Sequence, residues 1–243
     1  MTIKVIVNGA KGKMGSLAVE AVKRDSALEL AAAADLNDNL KDIIAASKAD
    51  VVVDLTRASS AFQNTKTIIE AGARPVIGTS GLLEEQIKSL ATLCSEKKLG
   101  GIIAPNFSIS VLLMQRFARE AVRRMPQVEI LEMHHTAKEE SPSGTAVRTA
   151  EIISEAAKEK LLPAASKEII DSARGAEYKG IKIHSLRLPG YNAHQEIIFG
   201  NLGETLSIRS DVINREAYMP GIVLACKEVM KLTSLTYGLE NIL

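Results

Sequence analysis

Apolar residues in the amino-terminal part of the chain come in short, nearly unbroken runs, and the stretch after each run carries them at helical spacing. Ile3-Lys4-Val5-Ile6-Val7 is such a run, of the kind required by a parallel strand covered on both faces. Met14, Leu17, Ala18, Ala21 and Val22 then share one face of a helix, and Leu28–Ala34 reads as the next strand. Val51-Val52-Val53-Asp54-Leu55, Pro75-Val76-Ile77-Gly78 and Gly101-Ile102-Ile103-Ala104 continue the series, with helical stretches near 59–71 and 83–97 between them. This alternation predicts the α/β class, with a doubly wound parallel sheet.

After Phe107 the pattern changes. A helix is expected near 110–124, a strand over Val128-Glu129-Ile130-Leu131-Glu132-Met133, a helix from 144, and consecutive strands at 181–188, 195–199 and 205–209. These make a smaller α+β domain, 108–215. A last helix near 217–232 returns to the first domain, which takes 1–107 and 216–243.

Composition narrows the function classes. The chain has 243 residues, 46% of them hydrophobic, enough for one large or two modest folded domains. Thirty Lys and Arg against 29 Asp and Glu leave no basic field for nucleic acid, and 3% aromatics leave little for base stacking. Cys94 and Cys226 lie far apart in amphipathic segments, the setting of buried free thiols in a reducing compartment. No signal-like segment precedes the first strand and no apolar run is long enough to span a bilayer, so a cytoplasmic protein without membrane contact is expected.

The first strand runs into Gly9-Ala10-Lys11-Gly12-Lys13-Met14-Gly15. Glycines in such a strand-to-helix turn allow a tight bend, close approach of backbone to a pyrophosphate, and close packing of helix on strand. The spacing is G-x-x-G-x-x-G rather than G-x-G-x-x-G, with Lys11 at the usual middle glycine. Asp35, at the end of the second strand, stands where an acidic group accepts from adenosine ribose hydroxyls. The first domain thus reads as Rossmann-like and dinucleotide-binding. Asp35 followed by Leu36 favours the cofactor without a 2′-phosphate, while Lys11 and Lys13 can reach such a phosphate, so NADH and NADPH both stay open. Thr56, Gly78-Thr79-Ser80 and Ala104-Pro105-Asn106-Phe107 follow strand carboxyl ends, where ligands bind in sheets of this kind.

A second cluster carries the chemistry. His134-His135-Thr136-Ala137-Lys138 is followed by Pro142-Ser143-Gly144-Thr145-Ala146. If the preceding strand extends through the histidines, they point to opposite faces and do separate jobs. Ser143 stands where an N-cap belongs, and the Gly144 and Thr145 amides that follow have no partner inside the helix. Such a helix start takes a carboxylate or phosphate; with Lys138 beside it, a small polyanionic acid fits best. Adjacent histidines on opposite faces, without a third histidine or a cysteine nearby, do not make a metal site.

Several separated motifs together resemble the 4-hydroxy-tetrahydrodipicolinate reductase family, also called dihydrodipicolinate reductase. They are residues 9–15, Asp54-Leu55-Thr56, Gly78-Thr79-Ser80-Gly81, Ala104-Pro105-Asn106-Phe107-Ser108, the block 134–146, and Ala193-His194-Gln195-Glu196 with Gly203-Glu204. The resemblance spans the chain and implies an NAD(P)H-dependent reductase of diaminopimelate and lysine biosynthesis, acting as a homotetramer through its second domains. It implies that His134 is the catalytic acid/base and Lys138 a second proton donor. His135, Lys138, Ser143, Gly144 and Thr145 would hold a small dicarboxylate substrate. Gly9, Ala10, Lys11, Gly12, Lys13, Met14, Asp35, Gly78, Thr79, Ser80, Ala104, Pro105, Asn106 and Phe107 would hold the cofactor.

The chain departs from the family pattern at Lys13, where arginine is usual, at Asp35, often glutamate, and at Glu140, often aspartate. These bear on cofactor choice more than on reaction type. Arg209 and Arg215 read as ion-pairing residues, and His184 and His194 as structural, with His194 near the site. Two chain crossings, near Phe107 and Arg215, lead us to expect a hinge that closes on cofactor and substrate. Two other readings remain: a homoserine or aspartate dehydrogenase, which has no use for the His134 block, and a nucleotide-sensing module, which needs no proton donors.

Overall fold

The computed structural model describes residues 2–79 and 81–243. By chain contacts it divides into two compact units, Met1–Ile109 with Arg215–Leu243, and Ser110–Asn214.

The first unit begins with β1 (Ile3–Asn8), α1 (Lys13–Arg24), β2 (Leu28–Ala34), α2 (Leu40–Ser47) and β3 (Val51–Asp54). It continues with α3 (Ala58–Glu70), β4 (Arg74–Ile77), α4 (Glu84–Lys97) and β5 (Gly101–Ile103). In the second unit come α5 (Ile109–Ala121, its first residue shared with the first unit), β6 (Gln127–His134), α6 (Gly144–Ala156), β7 (Ala176–Tyr178), β8 (Ile181–Arg187), β9 (Ala193–Asn201) and β10 (Glu204–Val212). The chain then returns through a short 3₁₀ turn, Arg215–Tyr218, into α7 (Met219–Glu228) and β11 (Leu235–Tyr237).

The first sheet is parallel, in the order β11-β5-β4-β3-β1-β2. Its strands are short and branched, and β3 is buried at every position, as a two-sided cover of helices demands. The strand order reverses between β1 and β3, so the crevice at their carboxyl ends is where a ligand belongs in such a fold. The expected helix at 217–232 is broken in three: the 3₁₀ turn, α7, and a second 3₁₀ turn at Val229–Lys231. Pro220 sits in the first turn of α7, the one place in a helix where its missing N–H costs nothing.

Two glycines make the β1-to-α1 turn possible. Gly9 has φ +85°, a left-handed conformation that side chains resist. A Cβ on Gly15 would lie 2.0 Å from the Gly9 carbonyl oxygen, so the helix can approach the turn only with hydrogen at that position. Both cysteines of the chain are free and buried. Burial pushes the Cys94 thiol up to about 11 and the Cys226 thiol up to about 12, which leaves them unreactive.

The second unit is a mixed sheet in the order β10-β9-β6-β8-β7, with β6 and β8 parallel and the other pairs antiparallel. Ile130, Ile183, Ile197 and Phe199 are buried on the face that α6 covers. A buried polar knot fastens that helix: Thr149 accepts from Gln115 on α5 (3.0 Å) and from Gln195 on β9 (2.9 Å), and donates to the Thr145 carbonyl (2.8 Å). The second turn of α6, where Thr149 lies, is therefore held against the sheet by bonds as well as by packing. Among the described residues no helix is long and apolar enough to cross a membrane.

Candidate active site

In the first unit a cavity of about 420 Å³ opens at the carboxyl ends of β1, β2 and β3. Asn8, Gly9, Gly12, Asp35, Leu55 and Thr56 line it, together with Asp38 and Arg57. Gly12 caps α1 without a side-chain bond, so the first-turn amides face no competing acceptor of the cap residue and are left for an anion. Asp35 is fixed by accepting from the backbone N–H of Lys11 and of Leu36, both at 2.8 Å. The Leu36 and Lys11 amides hold its carboxyl below the usual range, so it stays ionised. Asp38 stands beside it and accepts from the Asp35 amide at 2.8 Å. A glycine turn, an open helix start and an ionised carboxylate at the end of β2 fit the pyrophosphate and ribose of a dinucleotide.

A buried hub supports this crevice. The Asp54 carboxyl accepts from Asn8, Asn64, Thr56 and Thr79 side chains at 2.7–2.9 Å, tying together the ends of β1, β3 and β4 and helix α3. Thr79 is thus spoken for by Asp54. Gly78 has no room for a side chain, since a Cβ would meet the Phe107 ring at 2.6 Å and Leu55 at 2.7 Å. Ala104 and Phe107 are buried, Pro105 is exposed, and Asn106 accepts from the Ser108 amide at 2.8 Å in a local turn. Ala10, Lys11 and Lys13 lie in the turn and the first residue of α1, and Met14 follows them. Ser80 lies outside the described residues.

The second unit gathers the titratable cluster at the carboxyl end of β6. The strand ends at His134, so the alternation expected for the two histidines stops there: His135 is exposed in a turn, its carbonyl accepting from the Lys138 amide at 3.1 Å. His134 is instead paired with a residue of its own strand. Glu132, two positions earlier and on the same face, is fully buried, and its Oε2 lies 2.5 Å from His134 Nδ1. The other oxygen accepts from Arg187 Nη2 at 2.8 Å. Burial pushes the Glu132 carboxyl up, but bonds from His134, Arg187 and Ser185 more than offset this and hold it at about 2.

Arg187 also reaches the loop. The same Nη2 donates to the Glu140 carbonyl at 2.7 Å, and Glu140 in turn pairs with Lys138 Nζ at 3.0 Å. A continuous chain of contacts therefore runs from His134 through Glu132, Arg187 and Glu140 to Lys138. The Glu140 carboxylate is mostly exposed, so a better-placed anion can take its place on the lysine. Ser143 caps α6, its Oγ accepting from the Ala146 amide at 3.2 Å. The first bond inside the helix is from the Val147 amide to the Ser143 carbonyl, and the Gly144 and Thr145 amides precede it. Gly144 is exposed, with nothing among the described residues within 4 Å of where its Cβ would be, so a ligand can come close to the backbone. The arrangement offers a ring nitrogen, an ammonium and a helix start: a proton donor with an anion holder.

The remaining histidines are held elsewhere. His184 Nε2 meets Glu129 at 2.7 Å. His194 accepts at Nε2 from the Asn192 amide and meets Asp211 through Nδ1 at 2.6 Å, which uses both its nitrogens. Arg209 bonds Asp211 at 2.9 Å. Sequence reading did not single out Glu132, Arg187, Asp38 or Arg57. For Glu132 the signal was present, because a carboxylate two residues before a histidine in a strand shares its face.

Residues 3–107 match the family described as dihydrodipicolinate reductase, N-terminus, and residues 110–243 match dihydrodipicolinate reductase, C-terminus. The chain is 52% identical over its full length to the whole of the 4-hydroxy-tetrahydrodipicolinate reductase of Legionella pneumophila (strain Paris). It is 49% identical, again over the whole of both chains, to that of Coxiella burnetii (strain Dugway 5J108-111). A solved structure of dipicolinate-bound dihydrodipicolinate reductase from Paenisporosarcina sp. TG-14 superposes with a TM-score of 0.95 at 41% identity, covering all of both chains. By sequence along its whole length and by fold, the chain belongs to the dihydrodipicolinate reductase family, NAD(P)H-dependent oxidoreductases of diaminopimelate and lysine biosynthesis.

Proposed function

We propose that the protein reduces 4-hydroxy-tetrahydrodipicolinate to tetrahydrodipicolinate, with His134 as the proton donor. The observation that carries this reading is the chain of contacts that joins His134 to Lys138 beside the capped start of α6. Gly9, Gly12, the first turn of α1 and Asp35 would hold the dinucleotide, which when bound supplies the hydride. Lys138 and the Gly144 and Thr145 amides take the ring carboxylates, with His135 at the edge of the site. The substrate loses its 4-hydroxyl as water, which leaves a conjugated ring. Hydride adds at the carbon end of that system and the electron pair shifts to the ring nitrogen; the enamine carbon next to the hydride-bearing carbon then takes a proton from His134, which restores the C=N bond. Lys138 serves as the second proton donor while it holds a carboxylate.

The test of the substrate class is inhibition by pyridine-2,6-dicarboxylate, a flat ring diacid of the kind bound in the Paenisporosarcina structure. It should compete with the substrate. Absence of inhibition at millimolar concentration would contradict a dicarboxylate site.

Cofactor choice follows from the carboxylates at the end of β2. Asp35 and Asp38 both line the crevice, so a 2′-phosphate would meet two negative groups, and NADH is the favoured cofactor. Asp35→Asn combined with Asp38→Asn should raise the ratio of kcat/KM for NADPH to that for NADH by about tenfold. An unchanged ratio would place the discrimination elsewhere. The protein is further proposed to act as a homotetramer in the cytoplasm. The face of the second sheet turned away from α6 supports the assembly, since by alternation it carries Leu131, Leu186 and the exposed Ile198.

A further inference from the structure

Taking His134 as the proton donor, we propose that Glu132 is a positioning residue for the reduction: its carboxylate fixes a proton on His134 Nδ1 and so presents Nε2 to the substrate, while Arg187 holds that carboxylate in place. The inference rests on that assignment and extends it to two residues that lie behind the histidine.

Three features of the geometry lead there. Glu132 and His134 are two apart on β6 and share the face that α6 covers, and the 2.5 Å contact is made to Nδ1, not to Nε2. Glu132 is wholly buried, and its second oxygen is taken by Arg187, which is the register partner of His134 on the parallel neighbour β8. A buried carboxylate that accepts from a guanidinium is ionised and has no hydrogen to give. The hydrogen in the 2.5 Å contact must then belong to the imidazole, on Nδ1, whether the ring is neutral or protonated. The hydrogen bond at one ring nitrogen decides what the other can do. With Nδ1 held, the ring cannot flip, and Nε2 is the atom that gives up a proton in the reaction and regains one afterwards.

Arg187 has a second task in this arrangement. Its positive charge lies on the far oxygen of Glu132, so the carboxylate is balanced even when His134 is neutral. Its bond to the Glu140 carbonyl fixes the loop that carries Lys138 relative to the same carboxylate. One ion pair, with its carboxylate buried and its guanidinium partly so, therefore sets the orientation of the histidine and the place of the lysine.

The direct test is nitrogen NMR of the wild-type enzyme labelled at histidine. The chain has four histidines, and the His134 signals are found by their loss in His134→Gln. In the neutral state His134 should show a protonated Nδ1 and an unprotonated Nε2; the opposite tautomer would overturn the proposal. Kinetics give the second measure. Glu132→Gln can turn its amide hydrogen toward Nδ1 and favour the wrong tautomer, so kcat should fall by about a hundredfold while KM stays within about threefold. In a Glu132→Gln/His134→Gln double variant the loss should be no greater than in His134→Gln alone. Near wild-type kcat in folded Glu132→Gln, or losses that multiply in the double variant, would overturn the role of Glu132 and leave His134 untouched. Near wild-type kcat in His134→Gln would instead remove the assignment on which the inference rests. Should Glu132→Gln fail to fold, the wild-type spectrum still decides the matter.

Discussion

His134→Gln should lower kcat by about 10² to 10⁴ while KM changes little, because a positioned proton donor contributes on that scale to the transition state and not to ground-state binding. The ring lies at the end of β6 and is mostly buried, with 13% of its side chain exposed, so glutamine can fill much of the same space. The residue behind it stays in its place, since Glu132 keeps its bond from Arg187. Steady-state kinetics with saturating cofactor check the outcome. A variant that keeps near wild-type turnover would take His134 out of the proton transfer. A large rise in KM with kcat preserved would make it a binding residue only.

Lys138→Met should be as damaging, but differently. The ammonium does two things at once in this account, holding a carboxylate and offering a second proton, so both constants suffer. Loss of a charged hydrogen bond to an anion and of a proton donor together predict a fall in kcat/KM of about 10² to 10³, with KM raised and kcat lowered. Methionine keeps the stem's length and bulk, which leaves packing of the loop nearly intact. Among the described residues the lysine ammonium pairs with the exposed Glu140 carboxylate alone, so removing its charge strands no buried partner there, and the fold should be unaffected. Binding of pyridine-2,6-dicarboxylate followed by calorimetry separates the two effects. Undiminished affinity in Lys138→Met would show that the carboxylates are held by the α6 amides alone.

Much of the architecture could be read from hydrophobic spacing. β1, β3, β4 and β5 are short apolar runs bounded by polar or glycine residues, and such runs have few alternatives once helices separate them. The pieces that escaped are the short ones. β7 and β11 have three residues each, too few for a period to show, and exist because neighbours β8 and β5 supply their bonds. The eight-residue α2 gives barely two turns of pattern, and its start is fixed by Asn39, whose side chain accepts from the Asp42 amide.

The site was legible in a similar, uneven way. Ser143 caps its helix as its position implied, since capping is a local matter of spacing. His135 was harder, because the end of a strand depends on its partners: β8 and β9 pair with β6 up to His134 and no further. Arg187 was beyond reach of spacing altogether. It stands 55 residues from Glu132 in sequence and meets it only because β6 and β8 lie side by side in parallel. Buried polar partners of this kind are set by tertiary register, which no local pattern encodes.

The measurement that bears most directly on the central claim is a coupled assay. The substrate is generated in place from pyruvate and aspartate semialdehyde by its synthase, and loss of reduced nicotinamide is followed with NADH and NADPH in separate runs. The account predicts rapid oxidation that requires every component, faster with NADH, and abolished to within a percent or so (about 10²) by His134→Gln. Cofactor binding without oxidation of either nucleotide would contradict it.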